Sequence, residues 1–179
     1  MDRYQKQQRA MQEKRQARKI LDFNSDWRYT DKRLDFVPAQ AGLDDSEWTS
    51  VTLPHDYSIE EGFSKENSSG VSGGYVRTGV LWYRKKFTLD EAYAKKRIFL
   101  HFDGISADSE IWVNGVMVQR HPYGYTPIHV DITPHVVFGR EENCIAVKAD
   151  TSLQPFSRFY QGTGIYRKAE LVITSHIHF

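Results

Sequence analysis

Hydrophobic and polar residues alternate along several short segments of the chain, which is the period of strands with one face on a core. Residues 97–103 read RIFLHFD and residues 145–148 read IAVK, so that an apolar side chain recurs at every second position. The segments with this character are rich in β-branched and aromatic residues: Val80–Leu89, Arg97–Asp103, Ser109–Val118, Ile128–Ile132, Asn143–Ala149 and Ala169–Thr174. The pattern therefore predicts an all-β domain.

Turn signals separate these predicted strands. Asn114-Gly115 lies between two apolar runs, which is a strong local indication of a hairpin. Proline and glycine punctuate the other connections, and no alternation of strands with long helices is visible. The arrangement favours an antiparallel β-sandwich, with a further strand expected to begin at Ile165.

Residues 1–20 differ from the rest in composition. They are rich in Gln, Lys, Arg and Ala, which favour helix, but they have no continuous apolar face. We expect a short helical or disordered basic tail, and a basic arm that binds a partner or contacts a neighbouring domain is the alternative. The predicted organisation is a basic tail over 1–20, a sandwich domain over 21–175 and the start of a linker at 176–179.

Charge and cysteine content restrict the partners. The first 19 residues hold seven Lys and Arg against two acidic residues, whereas the remainder holds 17 basic against 21 acidic residues. A mildly acidic body gives no electrostatic reason to bind nucleic acid. Cys144 is the only cysteine, so neither an intrachain disulfide nor a cysteine-based zinc site can form.

Neither a membrane span nor a signal peptide is apparent. No apolar run approaches the length of a span, and the basic N-terminus lacks the apolar stretch of a signal peptide. The sequence therefore predicts no membrane partner. Localisation stays open between a periplasmic or secreted parent whose signal has been removed and a cytoplasmic one.

The usual catalytic signatures are missing from the sequence. There is no Gly-x-Ser-x-Gly elbow, and Gly70–Gly74 lacks the residues of a phosphate-binding loop. His176 and His178 share one face of a strand but have no evident third metal ligand, so we expect neither a metal nor another cofactor. Adjacent acidic residues are predicted to be solvated loop charges: Asp44/Asp45, Glu60/Glu61 and Glu141/Glu142.

Two loops offer chemistry suited to a polyhydroxylated ligand. In TLPHDYSIEEG, residues 52–62, His55, Asp56 and Tyr57 follow a strand-ending proline. A carboxylate accepts hydrogen bonds from hydroxyl groups, and an aromatic ring covers the apolar face of a sugar. The alternative is that Asp56 only bonds the backbone of its own turn.

The second loop is SRFYQGTGIYR, residues 157–167. Gly162 and Gly164 allow a positive φ and hence a sharp turn before the next strand. Arg158 offers a rigid fork of donors for a carboxylate or neighbouring hydroxyls. Phe159 and Tyr160 can stack on a ligand or cap the sandwich, and the residues alone leave both open.

Six segments, in order, resemble one known family. They are FNSDWRYT, LPHDYSIE, GVLWYRKKFTL, FLHFDGISADSEIWVNGVMV, HPYGYTPIHVDIT and SRFYQGTGIYRKAEL. The series, over residues 22–173, resembles the N-terminal sugar-binding domain of glycoside hydrolase family 2, which contains β-galactosidases, β-glucuronidases and β-mannosidases. Its most specific parts are FDG at 102–104, WVNG at 112–115 and GIYR at 164–167. The resemblance implies a jelly-roll β-sandwich of the galactose-binding-domain type.

The resemblance also implies a role for the two loops. Both catalytic glutamates of the family lie in a later (β/α)₈ barrel, so we expect this chain to be inactive alone and to shape the rim of a barrel pocket. Asp56 and Arg158 would contact a terminal β-linked sugar, with a galactoside favoured, or the barrel itself. His55 and Tyr160 are the accompanying substrate-binding candidates. Phe156 replaces an asparagine common in related members, which removes a polar group.

Two other functions remain open at this point. One is a stand-alone carbohydrate-binding module, since jelly rolls often serve in this way. The other is a structural domain that packs on the catalytic barrel, whose exposed docking face would let the isolated domain oligomerise. The identity of the cleaved sugar is expected to depend largely on the barrel.

Overall fold

The computed structural model describes residues 18–60, 62–153 and 162–175. Its strands are β1 Arg18–Asp22, β2 Trp27–Thr30, β3 Thr49–Val51, β4 Val80–Phe87, β5 Arg97–Phe102, β6 Asp108–Val113, β7 Val116–His121, β8 Ile128–Asp131, β9 Asn143–Asp150 and β10 Ala169–Thr174. Single 3₁₀ turns occur at Tyr57–Ile59, Val71–Gly73, Glu91–Tyr93 and Thr133–His135. Within these ranges, no helix has the length and apolar character needed to cross a membrane.

The strands form two antiparallel sheets. The order is β1-β10-β5-β8 in the four-stranded sheet and β3-β2-β4-β9-β6-β7 in the six-stranded sheet. Side chains from both sheets make up one hydrophobic core, in which Ile98, Leu100 and Phe102 of β5 are fully buried. The predicted all-β jelly-roll sandwich and the period-two pattern of β5 are both confirmed.

The turn chemistry at Asn114-Gly115 is also confirmed. These two residues connect β6 to β7, and both have a positive φ, of 49° and 89°. Positive φ at both central positions is the requirement of the favoured two-residue hairpin turn. The dipeptide therefore sets the pairing of Val113 with Val116 and of Trp112 with Met117, beyond which the register shifts.

Several strand ends differ from the prediction by one or two residues, and the larger differences lie in two places. β1 begins at Arg18 and pairs with β10, so that residues 18–20 of the predicted tail belong to the four-stranded sheet. Most side chains of β1 are exposed, which left no apolar pattern to detect. The last strand has the predicted bounds Ala169–Thr174, whereas no strand begins at Ile165, where Gly164 makes only an isolated bridge to Ser106. Residues 1–17 and 176–179 lie outside the described ranges.

The segment between β2 and β3 crosses the outer face of the six-stranded sheet. Arg84 of β4 is buried beneath it and donates to the carbonyl oxygens of Gln40 (2.6 Å) and Leu43 (3.2 Å). Arg84 also forms an ion pair with the Asp45 carboxylate. The prediction that Asp45 is a solvated loop charge is therefore wrong, since its partner comes from a strand that is remote in sequence.

Candidate functional site

The loop after β3 joins other loops at one end of the sandwich. The backbone N–H of His55 donates to the carbonyl of Ile165, and that of Tyr57 donates to the carbonyl of Thr163, both at 2.9 Å. Ser106 in turn bridges Gly164, with its N–H 2.9 Å from the glycine oxygen. The two loops selected from the sequence therefore meet at the same end of the fold.

Asp56 connects these two loops through its side chain. Its Oδ1 accepts from the N–H of Ser58 at 3.0 Å, which caps the 3₁₀ turn, and from the N–H of Thr163 at 2.9 Å. The carboxylate is partly buried. Asp56 therefore does bond its own turn, as the alternative interpretation states, but it also fixes the loop that contains Gly162.

Both glycines of the second loop are required, for different reasons. Gly164 has φ +123°, and a Cβ at this position would collide with the Tyr83 hydroxyl and lie 3.0 Å from the His55 oxygen. Gly162 has no such φ, but a Cβ there would collide with the Asp56 carboxylate. The predicted positive φ is thus confirmed for Gly164, whereas Gly162 provides space for the carboxylate.

The imidazole of His55 is buried in a hydrogen-bonded relay. The Glu60 carboxylate can only accept, so His55 Nε2, which lies 2.7 Å from Glu60 Oε1, is assigned as the nitrogen that carries the proton and donates to it. In that tautomer His55 Nδ1 accepts from the Tyr83 hydroxyl at 2.6 Å. Tyr29 completes the relay by donating to Glu60 Oε2 at 2.7 Å. Both ring nitrogens of His55 therefore have protein partners, which favours a role in holding the loop over direct contact with a ligand.

The relay gives a function to Glu60, which the sequence predicted as a solvated loop charge. Burial raises the pKa of Tyr29, and its hydrogen bond to Glu60 raises the pKa further. Burial also raises the pKa of Tyr83 well above its usual value. Both phenols therefore stay protonated and available as donors at neutral pH. The Glu60 side chain is 40% exposed, in agreement with the predicted solvated charge, but it also accepts hydrogen bonds from Tyr29 and His55.

Tyr57 is directed away from solvent. Its ring is 5% exposed and belongs to the core, and its hydroxyl donates to Asp31 Oδ2 at 2.7 Å. The Arg77 guanidinium lies over the ring at 4.7 Å and donates to the same Asp31 oxygen at 3.1 Å. The aromatic ring proposed from the sequence to cover a sugar is therefore part of the supporting structure.

A chain of buried hydroxyl groups, which the sequence did not indicate, ties the loops together. Ser58 Oγ lies 2.9 Å from Thr163 Oγ1, which lies 2.7 Å from Thr151 Oγ1. Ser58 also donates to the carbonyl of Arg77 at 2.7 Å. Ser58 and Thr163 are 105 residues apart, so no local pattern could have predicted their contact.

The other candidates lie outside the described residues. Arg158 and Tyr160 fall in residues 154–161, and His176 and His178 fall in residues 176–179. Among the residues that are described, no group of three or more His, Cys, Asp or Glu side chains could hold a metal ion.

Known proteins resemble the chain in both sequence and structure. The family model for the glycosyl hydrolases family 2 sugar binding domain matches residues 23–175. The β-galactosidase BoGH2A of Bacteroides ovatus is 44% identical over 161 residues, which are 90% of this chain and 19% of that protein. A putative β-glucuronidase of Formosa agariphila is 38% identical over 159 residues, which are 88% of this chain and 15% of that protein.

Solved structures agree with these relatives. A glycosyl hydrolase family 2 member from Bacteroides cellulosilyticus superposes with a TM-score of 0.80 at 38% identity, over 87% of this chain and 20% of that one. A β-glycosidase from Bacteroides vulgatus gives a TM-score of 0.82 at 33% identity, with the same coverage. The chain thus spans about a fifth of the length of the proteins that it matches. Since the match extends over most of the described sandwich, the chain belongs to glycoside hydrolase family 2, as its sugar-binding domain.

Proposed function

We propose that this domain works within a retaining exo-β-glycosidase of the β-galactosidase type, where it forms part of the rim of the terminal-sugar pocket. Relatives from Bacteroides ovatus and Thermoanaerobacter pseudethanolicus, 44% and 34% identical, are β-galactosidases. This chain corresponds to 19% and 22% of their lengths. In this proposal the nucleophile and the acid/base belong to a (β/α)₈ barrel elsewhere in the parent protein, and this domain has no catalytic residue.

The observation that carries the proposal is the fixed carboxylate of Asp56. Its Oδ1 is held by two backbone N–H groups from two different loops. A carboxylate is an acceptor with several lone-pair positions, so it can also receive a hydrogen bond from a sugar hydroxyl. Because the loops are already joined by hydrogen bonds, little additional ordering is required when the sugar binds.

Arg158 and Tyr160 complete the proposed rim. Thr151 and Thr163, which flank their segment, are in contact through their hydroxyl groups at this end of the sandwich. Both attachment points of the segment therefore lie near Asp56. In the proposal Arg158 donates to the sugar or to a barrel carboxylate, Tyr160 covers an apolar face of the sugar, and His55 supports Asp56 through the relay.

A chimera provides the test. This chain replaces the matching segment of the Bacteroides ovatus β-galactosidase, and kcat/KM is measured on a nitrophenyl β-galactoside with and without Asp56→Ala. Loss of a hydroxyl contact to a charged group should cost about 1.5–3 kcal/mol, which lowers kcat/KM by roughly tenfold to a hundredfold.

Asp90→Ala is the matched control for this experiment. Asp90 caps the 3₁₀ turn Glu91–Tyr93 through an N–H bond from Ala92 at 2.8 Å, as Asp56 caps its own turn. We expect the control chimera to keep its kcat/KM. If the two substitutions lower kcat/KM equally, Asp56 does not contribute to the pocket. The preferred sugar is tested separately with the full-length parent protein. We expect the parent to cleave a β-galactoside faster than a β-glucuronide.

A further inference from the structure

A groove lies on the outer face of the six-stranded sheet, and Asp56 is not among its lining residues. Its volume is about 640 Å³, within the range of about 300–1,000 Å³ that is usual for ligand sites. One wall is the segment after β2, and the floor and other wall come from β4, β6 and β9. The lining residues are Asp31, Lys32, Arg33, Leu34, Asp35, Phe36, Val37, Val80, Trp82, Glu110 and Lys148. We refer to these residues as the sheet-face groove.

The floor of the sheet-face groove is rigid. β4, β9 and β6 are adjacent strands inside the sheet. Trp82 is 7% exposed and packs with Ala146 and Ala39, while Leu34 packs against the same cluster. At one end of the wall, Asp31 is held by the Tyr57 hydroxyl at 2.7 Å. The groove therefore exists before any ligand arrives, which lowers the entropic cost of binding.

The charges along the groove cancel. Three acidic residues and three basic residues line it: Asp31, Asp35 and Glu110, and Lys32, Arg33 and Lys148. Such a surface attracts neither a polyanion nor a strongly cationic ligand. It offers both hydrogen-bond donors and acceptors, and therefore suits a neutral ligand with many hydroxyl groups.

The apolar residues that line the groove also suit a ligand with many hydroxyl groups. Phe36 is 54% exposed and lines the same groove as Trp82. Lys148 opposite them forms ion pairs with Glu110 at 3.6 Å and Asp150 at 3.5 Å, so that hydrogen-bond donors and acceptors lie side by side on this wall. Aromatic rings for C–H faces and charged groups for hydroxyl groups together describe a carbohydrate ligand.

We propose that the sheet-face groove is a second carbohydrate site, which binds a short neutral oligosaccharide independently of the Asp56 end. The Tyr57–Asp31 hydrogen bond shows that the groove begins behind the loop that carries Asp56. A chain bound there would hold a longer glycan near the proposed pocket without entering it. The inference requires no catalytic domain and can stand even if the proposed role of Asp56 fails.

Calorimetric titration of the 179-residue chain with β-linked galactotriose and mannotriose tests the proposal. We expect binding of at least one trisaccharide, accompanied by a change in tryptophan fluorescence because Trp82 forms the floor. Phe36→Ala and Phe36→Leu should each weaken the binding by about fivefold or more, because both remove the ring. Since Phe36 is exposed, both variants should fold as the parent does, and Lys148→Met provides a second test from the opposite wall.

A further variant gives the control. Tyr123→Ala removes an aromatic residue of similar exposure, 56%, that does not line the groove, and it should leave binding unchanged. The proposal is overturned if neither trisaccharide binds at millimolar concentration, if the Phe36 and Lys148 variants bind normally, or if Tyr123→Ala weakens binding as much as Phe36→Ala does.

Discussion

The ion pair of Arg84 and Asp45 offers a quantitative test of how the segment between β2 and β3 is held on the sheet. The Arg84 side chain is fully buried and that of Asp45 is 12% exposed. Arg84→Met would leave this carboxylate with Arg28 as a distant partner, at 3.9 Å. Removing one member of a buried pair costs about 3–5 kcal/mol, a large part of the about 5–15 kcal/mol that stabilises a typical domain. We therefore expect Arg84→Met to be one of the most destabilising single substitutions in this chain.

The double variant Arg84→Met/Asp45→Leu separates the ion pair from the packing. It removes both charges, so the free energy of unfolding should recover part of the loss, although the carbonyl oxygens of Gln40 and Leu43 still lack their donor. Urea unfolding, monitored by tryptophan fluorescence, measures the free energy of unfolding of both variants. Arg33→Met is the control, because its ion pair with Asp35 is 94% exposed on both sides and should contribute nothing measurable. A loss below about 1 kcal/mol for Arg84→Met, or a double variant less stable than the single one, would refute this reasoning.

Two further predictions concern the loops and acid stability. Gly164→Ala should lower the free energy of unfolding by about 2 kcal/mol or more, because φ is +123° and the added Cβ meets the Tyr83 hydroxyl; a urea midpoint equal to that of the parent would contradict this. Burial acts to raise the pKa of Asp131, but hydrogen bonds from Thr133 and Arg97 outweigh it, so the net shift is downward. The stabilisation by Asp131 is therefore complete above its unfolded-state pKa and disappears as the pH falls through its folded-state pKa. Asp131→Asn should consequently reduce stability at neutral pH but not in strong acid, below both pKa values, whereas an equal loss under the two conditions would contradict the assignment.

Local patterns predicted much of the sheet structure. Ala169–Thr174 was predicted with the bounds that β10 has, and Asn114-Gly115 determined the hairpin. In these cases side-chain period and backbone preference both depend on neighbouring residues. β1 was missed because its five residues rely on pairing with β10, at the other end of the chain, and bury little of their own surface.

The candidate site was predicted in outline rather than in detail. Asp56 and the glycines of the second loop could be selected because their residue types suggest turns and ligands. The contacts of the loop after β3 with Tyr83 and Thr163 could not be predicted, since they join segments that are distant in sequence. The same limit explains why the prediction for Glu60 was incomplete, because its partner Tyr29 lies 31 residues away in β2.

The central claim, that Asp56 touches the terminal sugar, is tested most directly with monodeoxy galactosides in the chimera. Each substrate lacks one ring hydroxyl, and kcat/KM is measured for the unsubstituted chimera and for its Asp56→Ala variant. If Asp56 accepts from one hydroxyl, the substitution should lower kcat/KM less on the substrate that lacks this hydroxyl than on the complete substrate, with a coupling free energy of about 1.5–3 kcal/mol. Additive effects for every deoxy substrate would contradict the account and leave Asp56 as a loop-holding residue alone.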